Sequence, residues 1–261
     1  MRTDEIVVRL RAAGSVFAED EAALLAAEAV DPDDLERMVA ERVDGRPLEQ
    51  VVGWAGFDDL RVYVEPGVFV PRRRSELLVR LAAQAVRPGA VVVDLCCGSG
   101  AIGAALRARE PGIDLHAADL DPAAVTAARR NLPPERVHAG DLFEALPPGL
   151  RGAVDVLVVN APYVPTAEIT TMPAEARDHE HRLALDGGPD GLDVQRRVVA
   201  QAQPWLATGG LLVIETGRDQ APRTAGLMAA AGFRTEVHLD DDIAGCAVSG
   251  RPGLDHARAD V

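Results

Sequence analysis

The chain has 261 residues, of which 48% are apolar and 3% aromatic, and its formal net charge is −14. This length suits one large α/β domain with a small additional domain, and three cysteines are too few for a disulfide framework. The acidic charge and the few aromatic residues disfavour nucleic acid as a partner, and the lack of a long apolar run or a secretory signal predicts a soluble, cytoplasmic protein without membrane contact.

The N-terminal part of the chain predicts two small structural units. Residues 1–46 carry apolar side chains at helical spacing and predict short helices. Residues 47–70 contain two β-rich runs on either side of Asp58-Asp59, which predicts a hairpin connector. We expect the helices to form a substrate-docking domain and residues 71–261 to form the main domain.

A short basic run opens the main domain. Arg72, Arg73 and Arg74 precede a helical pattern for which Ser75 is the expected N-cap. Positive charge just before a helix opposes the helix dipole, so the run has two interpretations. It is a solvated flank, or it grips an anionic group.

The central motif is a strand, a glycine-containing turn and a helix. The run Val91-Val92-Val93 predicts a strand buried on both faces, and Asp94 closes it. Gly98-Ser99-Gly100 forms a tight turn, and a helical pattern then continues up to Pro111. Glycines let the backbone approach a ligand closely, and the helix N-terminus offers free N–H groups. We therefore expect a nucleotide-like cofactor, although a turn that uses glycine only for its geometry has the same pattern.

Strands and helices alternate after this motif, which predicts a doubly wound, mostly parallel sheet. The predicted strands cover residues 113–118, 137–139, 154–159 and 211–214, and the predicted helices cover 121–131, 194–206 and 221–231. The last two strands, 235–239 and 244–249, are joined too briefly for a crossover, so one strand is expected to be antiparallel. Ligands bind at the carboxyl ends of the strands in such sheets. The polar residues at this rim are Asp94, Asp119, Asp141, Asn160 and Glu215.

Two of the rim residues indicate the kind of cofactor. Asp119 follows Gly98 by 21 positions, which is where an acid that binds ribose hydroxyls occurs. Asp141, at the end of the next strand, is expected to accept a hydrogen bond from an adenine amino group. Leu142 or Phe143 is then in place to cover the adenine ring.

The glycine loop by itself is compatible with a different cofactor. Gly98–Gly103 match the G-x-G-x-x-G motif, which a nicotinamide dehydrogenase would also have. Asp94, however, puts a negative charge near the position of a pyrophosphate, where it suits an ammonium group better. The stretch Asn160–Tyr163 also has no role in hydride transfer.

These motifs together resemble those of class I S-adenosylmethionine-dependent methyltransferases. The stretch Asn160-Ala161-Pro162-Tyr163 is similar to the Asn-Pro-Pro-Tyr signature of enzymes that methylate planar nitrogens. Residues 69–76 and 184–192 resemble the PrmC/HemK family, which methylates the glutamine amide in the Gly-Gly-Gln loop of peptide chain release factors. The resemblance covers residues 48–250. It implies a seven-stranded class I methyltransferase sheet, S-adenosylmethionine as the cofactor and a release factor as the protein substrate.

The resemblance also implies which residues form the site. The expected catalytic residues are Asn160, Ala161, Pro162 and Tyr163. The expected cofactor-binding residues are Asp94, Cys96, Cys97, Gly98, Ser99, Gly100, Asp119, Asp141, Leu142 and Asn160.

The chemistry of an amide explains the catalytic stretch. A primary amide nitrogen is a poor nucleophile, because its lone pair is delocalised into the carbonyl group. The Asn160 side-chain oxygen and the Ala161 carbonyl are expected to accept its two hydrogens, in bonds that strengthen as the nitrogen becomes positive. Pro162 biases Ala161 towards an extended backbone. Tyr163 is expected to pack against the amide plane, or only against the rim.

Three positions depart from the family's pattern. Cys96 stands where Gly is usual, Arg73 where Pro is common, and Ala161 replaces the first Pro of the signature. The alternatives are therefore a methyltransferase of the same type that acts on an exocyclic base nitrogen or a small metabolite, and a non-catalytic cofactor-binding module. His179-Glu180-His181 is expected to be a solvated segment, and no metal site is predicted.

Overall fold

The computed structural model describes residues 2–253. The helices are α1 (Thr3–Ala12), α2 (Ala18–Glu28), α3 (Pro32–Val43), α4 (Leu48–Val52), α5 (Glu76–Ala83), α6 (Ala101–Arg109), α7 (Pro122–Asn131), α8 (Ala174–His179), α9 (Asp193–Ala202) and α10 (Ala221–Ala230). The strands are β1 (Trp54–Phe57), β2 (Leu60–Tyr63), β3 (Val91–Leu95), β4 (Asp114–Asp119), β5 (Val137–Ala139), β6 (Val154–Val159), β7 (Leu206–Glu215), β8 (Phe233–Asp240) and β9 (Gly245–Pro252). Among the described residues, no helix combines the length and the apolar character needed to cross a membrane.

Helices α1–α4 pack around an apolar core of their own. The buried residues of this core are Ile6, Leu10, Ala18, Ala22, Leu25, Met38, Val39 and Val51. Helix α3 begins as its sequence predicts, because Asp31 caps it by accepting the Asp34 N–H at 2.8 Å and Pro32 occupies the first turn. The core reaches Val51, whereas the sequence pattern ends the helices at residue 46.

The hairpin that follows is formed by β1 and β2, which pair antiparallel. Its turn residues Asp58 and Asp59 have φ of +49° and +64°, as a two-residue turn of the mirror-image type requires. The prediction of strand structure over Val51 and Val52 is wrong. Both residues belong to α4, which ends at Gly53 because its φ of +82° is a left-handed cap that glycine adopts most easily.

The other seven strands form one sheet in the order β5-β4-β3-β6-β7-β9-β8. Strands β3 to β7 run parallel, and β9 is antiparallel to both of its neighbours. The prediction of a doubly wound sheet with one antiparallel strand is therefore confirmed. The chain leaves β3 towards β4 on one side and returns to β6 on the other. The carboxyl ends of β3 and β6 consequently flank the point at which such sheets bind ligands.

Helices cover both faces of this sheet, because its central strands are apolar on both sides. Val92 of β3 packs in one core with α5, α6 and α7, and Val93 packs in the opposite core with α9 and α10. Strand β6 is buried on both faces from Val156 to Val159. This close-packed centre fixes the positions of the loops that leave β3 and β6.

Strand β7 is longer than its sequence pattern predicts. It begins at Leu206, although only residues 211–214 have the expected apolar run. Gly209 resembles a turn residue in the sequence, but it lies inside the strand with a φ of +78°. The preceding helix ends at Ala202 instead of residue 206, because Pro204 cannot continue the helical hydrogen bonds.

Candidate active site

A cavity of about 480 Å³ lies at the carboxyl ends of the central strands. Its volume is in the range of small-molecule sites, about 300–1,000 Å³. The predicted site residues that line it are Cys96, Cys97, Gly98, Ser99, Asp119, Asp141, Leu142, Asn160, Ala161, Pro162 and Tyr163. Asp94 and Gly100 do not line it. One cavity thus brings together the glycine loop, the strand-end acids and the Asn160–Tyr163 stretch.

The turn after β3 is built from residues in the left-handed region. Cys96, Gly98 and Gly100 have φ of +58°, +54° and +76°. Gly100 also lacks room for a side chain, since an added Cβ would lie 2.9 Å from Leu132 Cδ1. The Gly98 N–H donates to Asp119 Oδ2 at 2.8 Å, which ties the loop to the end of β4. Cys96 keeps the loop shape without glycine, at the cost of a strained backbone.

Asp94 lies behind the loop and is fully buried. Its Oδ2 accepts the Gly103 N–H at 2.9 Å, which fixes the first turn of α6. Its Oδ1 has no hydrogen-bond partner among the described residues. Burial raises the pKa of Asp94 to about 7, and the nearby Asp119 charge adds to this effect. Asp94 therefore lies behind the glycine loop and does not line the cavity, and its predicted role in binding the cofactor stays a prediction.

Asp119 closes β4 and reaches the cavity wall. Its Oδ2 accepts from Gly98 and its Oδ1 accepts the Asp121 N–H at 2.9 Å. Burial raises the pKa of Asp119, and the backbone N–H groups of Asp121, Gly98 and Leu120 oppose the rise. The carboxylate also lines the cavity, where an acceptor oxygen suits a ligand hydroxyl.

Asp141 and Leu142 form the neighbouring part of the wall. Asp141 Oδ2 pairs with the Arg197 guanidinium on α9 at 2.7 Å. Leu142 has a φ of +48° and is buried in the wall. Phe143, the other residue considered for covering a ring, instead stacks on Trp205 with centroids 5.5 Å apart. Of the two, Leu142 is the one that faces the cavity.

The Asn160–Tyr163 stretch forms the opposite end of the cavity. Asn160 Nδ2 donates to Ser75 Oγ at 3.3 Å, so the side-chain amide is held on its nitrogen side. The Tyr163 hydroxyl donates to Glu215 Oε1 at 3.1 Å. Burial, followed by the Glu215 charge, raises the pKa of Tyr163. Tyr163 therefore stays a neutral phenol bound to a buried carboxylate.

Two of the three arginines after β2 form internal ion pairs. Arg74 Nε lies 3.3 Å from Glu215 Oε1, and Arg72 bonds to Glu180. These contacts favour the interpretation that the run grips an anionic group, and the anions are carboxylates of the protein itself. Ser75 occupies the N-cap position of α5 as expected, but its backbone is already helical and its side chain makes no capping hydrogen bond.

Residues 172–186, here called the cover segment, supply the remaining wall. The expectation of a solvated segment is wrong for Glu180, which is 5% exposed and accepts the Val70 N–H at 3.3 Å. His181 bonds to Asp121 through Nδ1. Its ring also fills the space beside Gly67, where an added Cβ would collide with it.

The cover segment is also tied to the helical unit. Arg42 of α3 pairs with Glu175 at 2.6 Å while also pairing with Glu21 at 2.8 Å. Gln50 of α4 donates to the His179 carbonyl at 3.2 Å. The wall of the cavity and the N-terminal helices are therefore connected by direct polar contacts.

The residues at the site include neither a metal cluster nor a reactive thiol. Within residues 2–253, no group of three or more His, Cys, Asp or Glu side chains could hold a metal ion. Burial raises the pKa of the Cys96 and Cys97 thiols well above its ordinary value, so both remain protonated.

Four residues of the site have contacts that the sequence did not predict. Ser75 and Glu215 bond to the Asn160–Tyr163 stretch, and Arg74 pairs with Glu215. The fourth residue is Glu180, which lines the cavity and pairs with Arg72. Position in the motif at residues 69–76 was a usable signal for Arg74, and position at the end of β7 was one for Glu215. Nothing in the local sequence indicates the long-range partner of Glu180.

Comparison with known proteins identifies the family. Residues 59–182 match the family described as Methyltransferase small domain. A methyltransferase structure from Pyrococcus furiosus has the same fold, with a TM-score of 0.57, 15% identity, and coverage of 84% of this chain and 100% of that chain. The Release factor glutamine methyltransferase of Mycolicibacterium smegmatis is 38% identical over 250 residues, which are 93% of this chain and 88% of that protein. The chain belongs to the release factor glutamine methyltransferase family. A second member, from Streptomyces coelicolor, is 44% identical over 189 residues, or 70% of this chain and 67% of that protein.

Membership of this family makes S-adenosylmethionine the methyl donor, and the residues present fit it. Open space lies over the glycine loop, because an added Cβ at Gly98 would meet no described atom within 4 Å. Asp119 and Asp141 place carboxylates on the adjoining wall, which suits a cofactor with ribose hydroxyls and a positive charge. Asp94 Oδ1 is a buried acceptor without a partner behind the same loop.

Proposed function

We propose that this chain methylates the side-chain amide nitrogen of a glutamine in a peptide chain release factor, in its Gly-Gly-Gln motif. The observation that carries the proposal is the single cavity that the glycine loop shares with Asn160–Tyr163. One end offers carboxylates to a nucleoside, and the other offers an amide held on its nitrogen side. Such a cavity suits a reaction between a nucleoside-bearing methyl donor and an amide.

The residues at the cofactor end of the cavity bind and orient the methyl donor. When bound, S-adenosylmethionine supplies an electrophilic methyl group on its sulfonium sulfur. In this proposal Asp119 accepts from the ribose hydroxyls, and Asp141 accepts from the adenine amino group. Leu142 covers the adenine ring, while Gly98 and Ser99 line the cavity beside the rest of the cofactor.

The acceptor end of the cavity orients the nucleophile. Asn160 Oδ1 and the Ala161 carbonyl accept the two N–H groups of the substrate amide, which turns the nitrogen lone pair towards the methyl group. Both hydrogen bonds strengthen as the nitrogen gains positive charge, so they stabilise the transition state more than the ground state. Tyr163 is neutral and bonded to Glu215, so it packs beside the amide without acting as a base.

A protein substrate is favoured over a nucleic acid by the state of the arginines. Arg72, Arg74, Arg177 and Arg182 could form a basic patch around the cavity, but each of them pairs with a carboxylate of the chain. The overall charge of −14 also repels phosphates. We propose that the N-terminal helices dock the release factor, and that the enzyme acts in the cytoplasm, where translation ends.

The decisive experiment is transfer of a radiolabelled methyl group. The chain is incubated with methyl-labelled S-adenosylmethionine and, separately, a release factor, ribosomal proteins and RNA. We expect label on the release factor only, and its loss when the glutamine of the Gly-Gly-Gln motif is replaced by alanine. Label on RNA or on a ribosomal protein, with none on the release factor, would contradict the proposal.

A further inference from the structure

One buried side-chain amide holds the last residue of the Asn160–Tyr163 stretch. Gln220 is 7% exposed, and its Nε2 donates to the Tyr163 carbonyl at 2.9 Å and to the Asp190 carbonyl at 3.1 Å. Its Oε1 accepts the Gly217 N–H at 3.1 Å. A carbonyl can only accept and a backbone N–H can only donate, so these three groups fix the orientation of the amide. Both hydrogens and the oxygen of this amide are therefore engaged within the protein.

Two glycines let the backbone pack directly against this amide. An added Cβ at Gly191 would lie 2.2 Å from Gln220 Nε2 and 2.2 Å from the Tyr163 carbonyl oxygen. Gly191 also has a φ of +76°, which glycine adopts without strain. At Gly217, an added Cβ would lie 2.8 Å from Gln220 Oε1. A side chain at either position would push the amide away from its present partners.

The peptide group that ends the stretch is held from both sides. Its carbonyl, from Tyr163, accepts from Gln220, and its N–H, from Val164, donates to the Leu185 carbonyl at 3.0 Å. The Tyr163 ring is held separately, because its hydroxyl donates to Glu215. Gln220 therefore sets the direction of this carbonyl, although its side chain does not line the cavity.

The direction of the Tyr163 carbonyl affects the carbonyl two residues earlier, that of Ala161, which is one of the two acceptors in the proposed mechanism. Pro162 lies between them, and its ring holds φ at about −65° and restricts the backbone of Ala161 as well. Since β6 fixes the start of the stretch, few rotations remain that could turn the Ala161 carbonyl independently. We propose that Gln220 is a positioning residue, which holds the Tyr163 carbonyl and thereby aims the Ala161 carbonyl at the substrate amide. This inference rests on the proposed function and adds to it a residue outside the cavity that controls one acceptor.

The contact can be tested without any substrate. The chain has two tyrosines, Tyr63 and Tyr163, so labelling the tyrosine carbonyl with ¹³C gives two backbone signals in an NMR spectrum. The Tyr163 signal is the one lost in Tyr163→Phe. In Gln220→Met, which keeps the length of the side chain but has no donor, we expect the Tyr163 signal to move upfield, because its carbonyl loses a hydrogen bond. Tyr63, whose carbonyl accepts from Asn131 at 2.9 Å, is the internal control. A shift of both signals, or of neither, overturns the proposal.

Activity supplies a second and independent readout. We expect Gln220→Met to lower kcat about tenfold, as loss of one hydrogen bond implies, with unchanged S-adenosylmethionine affinity in calorimetry. Gln203→Met is the matched control, because it also removes an amide that donates to a backbone carbonyl, that of Ala231, and Gln203 does not line the cavity. This control should keep wild-type kcat. Equal losses in both variants, or a loss of cofactor affinity that equals the loss in rate, overturns the proposal.

A second variant, Gln220→Glu, tests the same contact if Gln220→Met does not fold. Its carboxylate still accepts the Gly217 N–H, but at pH 8.5 it has no hydrogen to donate to the Tyr163 carbonyl. We expect the same upfield shift and a loss in kcat of about tenfold or more, and wild-type kcat overturns the proposal. A wild-type chain that labels RNA or a ribosomal protein instead of a release factor overturns the proposed function alone, and the ratio of kcat values is then measured with that substrate. If nothing takes label, the tyrosine signals decide this inference.

Discussion

At the scale of single residues, the two ends of the Asn160 amide have separate tasks in the proposed mechanism. Asn160→Ala removes the acceptor, and we expect kcat to fall by about 10²–10³, as for loss of one transition-state hydrogen bond. Asn160→Asp keeps an acceptor but loses the hydrogen bond that Asn160 Nδ2 donates to Ser75. Its kcat should be intermediate. The measurement is initial methylation rate at saturating substrates, with cofactor affinity followed by calorimetry.

Two outcomes would contradict the proposed role of Asn160. Near-wild-type turnover of Asn160→Ala, with label still on the glutamine, would mean that the stretch does not orient the nucleophile. A loss of cofactor affinity that equals the loss in rate would instead assign Asn160 to the cofactor end.

At the scale of elements, the central strands, their mostly parallel arrangement and the loops at their carboxyl ends could be predicted from the sequence. Apolar runs such as 154–159 and a polar residue after each run are local patterns, and the sheet places them at one edge. Ser75 could not be assigned in this way, because a serine before a helix has the pattern of an N-cap whatever its side chain bonds. Glu180 could not be assigned either, because its partner Arg72 is 108 positions away. Contacts of that kind depend on packing and have no local pattern.

A histidine pair on β4 and β5 gives an expectation for stability against pH. His116 Nδ1 lies 3.0 Å from His138 Nε2, and Arg136 lies 2.9 Å from His116 Nε2. Burial lowers the pKa of both histidines; at His116, Asp114 opposes the shift and Arg136 adds to it, while the neighbouring cations Arg136 and Arg129 lower that of His138 further. Below the ordinary histidine pKa of about 6.5, the unfolded chain binds protons that the folded chain refuses. The contribution of the pair to the free energy of unfolding should therefore be complete above pH 6.5 and should decrease as the pH falls below this value.

The variant His138→Gln separates the contribution of this pair to the pH dependence of stability from that of the other titratable groups. Glutamine still offers an acceptor to His116 but does not titrate. Urea unfolding at pH 8 and at pH 5.5 should give a smaller difference between the two values for this variant than for the wild type. An unchanged difference would mean that the pair does not contribute to the pH dependence.

At the scale of the whole molecule, polar contacts join the cover segment to the helical unit, which we propose docks the substrate. Glu175→Gln removes the charge that Arg42 binds at 2.6 Å and leaves the buried Arg42–Glu21 pair intact. Since Glu175 is partly exposed, the loss should be modest, about two- to fivefold in kcat/KM for the release factor. Glu36→Gln, which breaks the pair with Arg9 inside the helical unit, is the matched control.

The Glu175 effect should appear in the KM for the release factor and weaken at high salt. Equal losses in both variants would mean that the helices respond to charge alone and that the tie to the cavity has no part in docking.

The contacts of the cover segment also determine when the cofactor cavity can form during synthesis of the chain. The pairs that hold it, Gln50 with His179 and Arg72 with Glu180, join residues 129 and 108 positions apart. Long loops must close before such contacts form, so they appear late in folding. The N-terminal helices leave the ribosome first and can pack early around their own core. A nascent chain shorter than about the first three quarters of the sequence therefore has a helical unit but no closed cofactor cavity, and cofactor binding stabilises only the last step of folding.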